Sequence, residues 1–161
     1  MTKIDRVFYR AVFEENLEDP LSSRAEKGRF HDVGSGRTTY LAERPDTAWR
    51  EVGARWQGDP DPAPYRMLVV RAKVRKVADL TDASVRRKYG VEASVLVGAD
   101  WKPCQRLARR LREEGFEAIR TFSRADQPGG RQWVVFLDRL TPESGVRVVS
   151  VRGIAEAISP E

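Results

Sequence analysis

Residues 7–13 (Val-Phe-Tyr-Arg-Ala-Val-Phe) crowd aromatic and β-branched side chains into one run, and that density predicts a β-strand. Residues 14–37 lose the pattern. They are polar, carry Gly28, Gly34 and Gly36, and predict a long loop with at most a helical turn. Apolar residues return in Thr38-Thr39-Tyr40-Leu41-Ala42, a short predicted strand. Pro45 and Asp46 then open a helix that runs to about Trp56. Residues 58–64, rich in Gly, Asp and Pro, break the chain without requiring a domain boundary.

The second half repeats this alternation. Residues 67–74 read as a strand with a continuously apolar start and an alternating end. Thr81 or Asp82 is placed to cap a short helix ending near Gly90. The clearest helix covers residues 103–114: Cys104, Leu107, Ala108 and Leu111 fall on one face and Gly115 stops it. Residues 116–122, 132–137 and 146–151 are further predicted strands. Short strands interspersed with two or three helices predict a single α+β (mixed α/β) domain over residues 1–161.

Composition narrows the chemistry. With 161 residues the chain can bury a core without covalent staples. The single cysteine, Cys104, excludes a disulfide within the chain, and the single histidine, His31, excludes a multi-histidine metal site. Cys104 sits on the apolar helix face, so it reads as a core thiol rather than a nucleophile. No apolar run approaches the length of a membrane span, and residues 1–6 lead into alternating sequence rather than a signal-peptide core, so a cytoplasmic protein is expected. The net charge of +5 leaves three partners open: a nucleic acid, an acidic protein or an anionic small substrate. The basic clusters at residues 71–76, 86–88 and 106–112 are interrupted by apolar positions and read as solvated faces.

Candidate chemistry concentrates in three segments: Gly28-Arg29-Phe30-His31, the stretch from Thr39 to Val52, and residues 115–124. Arg29 lies in a glycine-flanked loop, where a guanidinium fork and open backbone suit a phosphate. Tyr40 offers a ring for a planar heterocycle or a satisfied core hydroxyl. Glu51 falls at the edge of a helix face marked by Ala48, Trp49 and Val52, turned either to solvent or into a cleft. Ser123 follows a strand. No Walker loop or dinucleotide-binding glycine fingerprint is present.

Arg29, Tyr40 eleven residues on, Glu51 eleven further, and Ser123 after Gly-Phe-Glu-Ala-Ile-Arg-Thr-Phe together resemble the RES domain, named for its Arg, Glu and Ser. Phe8-Tyr9-Arg10 matches its first strand. The resemblance spans roughly residues 6–140, with departures at Lys27, where glycine is common, and Ala42, where a small hydroxyl residue is common.

The resemblance implies an ADP-ribosyltransferase-like fold, a split mixed sheet with flanking helices around an NAD cleft. It also implies the toxin of a bacterial toxin–antitoxin pair that cleaves NAD+ at the nicotinamide–ribose bond. In that reading Glu51 stabilises the charge developing on the ribose, Arg29 and Arg10 hold the pyrophosphate or its ribose, Tyr40 stacks on nicotinamide, and Ser123 binds within the nicotinamide-ribose pocket. NAD+ is the substrate, with no metal or added cofactor. The expected partner is an Xre-type helix-turn-helix antitoxin, and neither a nucleic acid nor a membrane is expected to be bound directly. An ADP-ribosyltransferase acting on a protein, or a basic nucleic-acid-binding module, are the alternatives.

Overall fold

The densest apolar run in the chain becomes the spine of the fold. In the computed structural model, which describes residues 3–23 and 26–158, strand β1 (Ile4–Phe13) pairs antiparallel along its whole length with β3 (Tyr65–Val74), from Ile4 opposite Val74 to Phe13 opposite Tyr65. Strand β3 pairs on its other side with β7 (Gly145–Gly153), with a register shift between Val69 and Val70. A second group consists of β2 (Thr38–Ala42), β6 (Arg131–Phe136), β5 (Ala118–Phe122) and β4 (Val77–Asp79). The seven strands form one sheet in the order β4-β5-β6-β2-β1-β3-β7, parallel only between β4 and β5. The two groups touch through β1 and β2 at a single register pair, Tyr9 opposite Ala42. Beyond that pair the sheet is split.

Helices cover both groups. Helix α1 (Pro45–Trp56) lays Thr47, Ala48 and Val52 over the β1–β3 end of the sheet, where Tyr65 and Met67 complete a small core with Ile154 of α5 (Ile154–Ile158). The crossover joining β4 to parallel β5 contains α2 (Ala83–Tyr89), α3 (Ala93–Leu96) and α4 (Lys102–Glu113). Cys104, Leu107, Ala108 and Leu111 of α4 pack with Leu96, Ile119, Val134 and Phe136, as the one-face pattern requires. Asp82, of the two predicted caps, accepts the Ser84 N–H and starts α2, while Gly90 (φ 66°) and Gly115 (φ 87°) supply the left-handed stops.

Several expectations need adjustment. Strand β4 and helices α3 and α5 were not anticipated; they span 3, 4 and 5 residues, too few for a period to register. The strand expected from residue 116 starts at Ala118. The basic cluster of α4 is not wholly solvated. Arg112 is 3% exposed and bonds Asp138 and Thr38 Oγ1, each at 2.6 Å, with its guanidinium over the Phe136 ring. The loop over residues 14–37 holds one 3-10 turn, Glu14–Asn16. Residues 1–2 of the N-terminal run and residues 24–25 of this loop lie outside the described residues, as do residues 159–161. No helix among the described residues is long and apolar enough to cross a membrane.

Candidate active site

A cleft of about 1090 Å³ opens where β1 and β2 part, bounded by α1, the loop at residues 27–31 and the segments around residues 101 and 124. Its walls bring Arg10, Arg29, Tyr40 and Glu51 together from separate elements. Glu51 is the one carboxylate among the described lining residues, against five cations: Arg10, Lys27, Arg29, Arg55 and Arg124.

Glu51 stands on α1 at the edge of the face that buries Ala48 and Val52, so the side chain leaves the helix toward the split in the sheet. Ser123 Oγ donates to Glu51 Oε2. Ser123 is itself fully buried and does not line the open cleft; in this arrangement its hydroxyl orients the carboxylate. The helix is fastened to the Ser123 loop one turn earlier. Asp126, buried, accepts from Thr47 Oγ1 at 2.5 Å and from Arg50 Nη1 at 2.9 Å, with Arg44 at 3.6 Å. Thr47 and Glu51, four residues apart, both reach the same loop. The loop closes through Gly130 N–H to Asp126 O at 2.7 Å, where a Cβ on Gly130 would strike the Asp126 backbone.

Tyr40 lines the cleft, but its hydroxyl is occupied. It accepts the Phe30 N–H at 2.9 Å and lies 2.8 Å from His31 Nδ1. Burial raises this phenol above its ordinary value, so it stays protonated. Gly28 closes the turn by donating its N–H to His31 O at 2.9 Å, and a Cβ there would meet the His31 ring and the Tyr40 hydroxyl. The predicted phosphate loop is thus a tight turn bolted to β2.

Arg29 extends from this turn and donates to Gly98 O at 2.6 Å. Arg10 sits at the root of the cleft and spends its donors on the backbone carbonyls of Pro20, Tyr40 and Ser22 at 2.9–3.2 Å. It braces the loop after β1 as well as lining the cleft. Cys104 is fully buried and its Sγ reaches Val95 O at 3.6 Å; burial pushes the thiol up, consistent with a core residue. Among the described residues no group of three or more His, Cys, Asp or Glu is placed to hold a metal ion.

Sequence reasoning missed Asp126 and Trp101, and gave no individual role to Thr47 and Arg124, which lie within the segments it singled out. The one-turn spacing of Thr47 and Glu51 was a usable signal; nothing local marked Asp126 as its partner.

This arrangement has known counterparts. Residues 7–154 match the RES domain family. A relative from Mycobacterium tuberculosis, described as a probable NAD(+) phosphorylase, is 31% identical over 115 residues, covering 70% of this chain and 55% of that protein. The chain therefore spans a little over half the length of that relative. The fold is similar to the crystal structure of the M. tuberculosis MbcT–MbcA toxin–antitoxin complex, with a TM-score of 0.76 at 19% identity, over 92% of this chain and 84% of that one. With nearly its full length matched, Arg29 and Glu51 lining one cleft and Ser123 bonded to Glu51, the chain belongs to the RES domain family.

Proposed function

We propose that this protein cleaves NAD+ at the nicotinamide–ribose bond and is the toxin of a toxin–antitoxin pair. The observation that carries the reading is the charge layout of the cleft, one carboxylate among five cations. NAD+ has the complementary form: an anionic pyrophosphate and a single cationic centre at the bond to be broken. Family membership and the relative's description point the same way.

The chemistry follows from the charges. The bond between ribose C1′ and the nicotinamide nitrogen breaks, and nicotinamide leaves with the electron pair as a neutral base. No metal or added cofactor is needed to make it a leaving group. Positive charge spreads over C1′ and the ring oxygen in an oxocarbenium-like transition state, which a nearby carboxylate stabilises. Glu51 serves that role, with its carboxylate aimed by Ser123. Arg29 and Arg10 attract the pyrophosphate side, and the Tyr40 ring packs against the nicotinamide half. Water or phosphate then forms the new C1′–O bond, and water releases a proton as it does so. The relative's description favours phosphate.

The partner is an Xre-type helix-turn-helix antitoxin that covers this cleft in the cytoplasm. The basic surface serves that partner rather than a nucleic acid. Incubating the purified chain with NAD+, with and without phosphate, and identifying the products tests the reaction. Free nicotinamide with ADP-ribose, or with ADP-ribose phosphate when phosphate is present, is expected. Intact NAD+, or label accumulating on protein, overturns it.

A further inference from the structure

Trp101 is 42% exposed, lines the cleft, and its indole has no hydrogen-bond or ring partner among the described residues. An indole left on a cleft wall beside charged groups is costly to hydrate and readily covered by a flat partner. Its neighbours are cationic. Arg29 and Arg124 both direct Nη1 at Gly98 O, at 2.6 and 3.5 Å, three residues before Trp101. Neither guanidinium has an ion pair among the described residues, and Lys27, exposed, lines the same cleft. One neutral carbonyl does not balance two full charges; Asp100, two residues on, accepts the Lys102 N–H and forms no ion pair with either guanidinium, so both keep donors for an anion.

Ser123 holds Glu51, Arg124 is the next residue, Arg124 reaches Gly98, and Trp101 follows. Besides the carboxylate, the cleft wall therefore carries two guanidiniums that converge on one carbonyl and an unpartnered aromatic ring. We infer that Trp101, Arg124 and Lys27 form the subsite for the adenosine diphosphate half of the substrate, with the indole stacking on the adenine and Arg124 joining Arg29 on the pyrophosphate. The inference rests on the reading of the cleft as an NAD+ site and extends it to residues to which that reading gave no individual role. It makes recognition of the purine end separable from bond cleavage at Glu51.

The test is binding of ADP, which carries no scissile bond, by calorimetry to the wild-type chain and to Trp101→Ala, Trp101→Phe and Arg124→Ala. Nicotinamide mononucleotide, which lacks adenine, is titrated in parallel, and melting temperatures are recorded on the same preparations. Loss of one base–aromatic stack weakens binding by about ten- to a hundredfold. Trp101→Ala is expected to lose that much ADP affinity with nicotinamide mononucleotide binding unchanged, and Trp101→Phe to recover most of it. Arg124→Ala is expected to weaken ADP as well. Unchanged ADP affinity in Trp101→Ala overturns the subsite, as does an equal loss for both ligands, which marks a structural role before α4. NAD+ turnover by the wild type separates the two claims. Turnover with Trp101-independent ADP binding removes the subsite alone, and Trp101-dependent ADP binding without turnover removes the cleavage reading alone.

Discussion

At the scale of single residues, the proposed reaction separates a group that reacts from groups that hold. Glu51 is the one carboxylate among the described lining residues, so Glu51→Gln, which keeps the shape and removes the charge, is expected to lower kcat by about a hundredfold or more, equivalent to ~3–4 kcal/mol. NAD+ affinity and melting temperature should change little, because the cations and the helix remain. Near-normal NAD+ consumption by the folded variant removes Glu51 from the mechanism. Tyr40 is a different case. Its hydroxyl satisfies the Phe30 N–H and touches His31, so Tyr40→Phe leaves a polar group of the turn without its partner. The cost should be about 1–3 kcal/mol of stability, read as a lower denaturation midpoint, together with weaker NAD+ binding as the Arg29 turn loosens. If Tyr40→Phe unfolds and binds like wild type, the hydroxyl is not the bolt described here and only the ring matters.

At the scale of elements, the distance between α1 and the Ser123 loop decides whether Glu51 is aimed. That distance is set by Asp126, which is buried and held by Thr47 and Arg50. Thr47→Val is nearly isosteric and removes the hydroxyl donor, whereas Thr47→Ser keeps it. A small misplacement of a reacting group costs far more in rate than in binding. Thr47→Val is therefore expected to lower kcat by roughly tenfold with KM nearly unchanged, and Thr47→Ser to restore it. Steady-state kinetics on the two variants check this. Equal kcat for Val and Ser variants would show that the helix holds its place without the bond. The same scale explains why the β1–β2 junction is narrow. Arg10 reaches across it to the Tyr40 carbonyl of β2, and the loop after β1 donates the Ser23 N–H to the Thr38 carbonyl.

At the scale of the whole molecule, two carboxylates, Glu117 buried and Glu43 half-buried, tie distant segments. Glu117 accepts from Arg75 N–H, Thr141 N–H and Ser144 Oγ at 2.8–2.9 Å, and Glu43 accepts from Arg120 Nε and Trp133 Nε1 at 2.7 Å. Burial pushes both carboxyls up, but these hydrogen bonds, with the Arg120 and Arg6 charges at Glu43, outweigh it and hold both below the ordinary value of 4.5. A carboxyl depressed in the folded state stabilises it above the unfolded value and loses that contribution as pH falls through the folded one. Melting temperature is therefore expected to hold near neutral pH and to drop below about pH 4.5. Glu117→Gln should be less stable at neutral pH yet lose less on acidification. An acid limb identical to wild type in that variant would assign the loss elsewhere.

Local pattern was enough for much of this protein. Aromatic and β-branched density marked β1, the one-face spacing of Cys104, Leu107, Ala108 and Leu111 marked α4, and Pro45 marked the start of α1, because each depends on neighbours within a turn or a strand. Motif order placed Arg29, Tyr40, Glu51 and Ser123 in one family's frame before any contact was visible. The split in the sheet, the parallel β4–β5 pair and the partners of each site residue were decided only in three dimensions. Ser123 meets Glu51 across 72 positions and Arg50 meets Asp126 across 76, and no periodicity spans such separations. Whether an edge-of-face glutamate points to solvent or into a cleft depends on what the rest of the chain packs against it. Here a buried aspartate and the parting of two strands turned Glu51 inward.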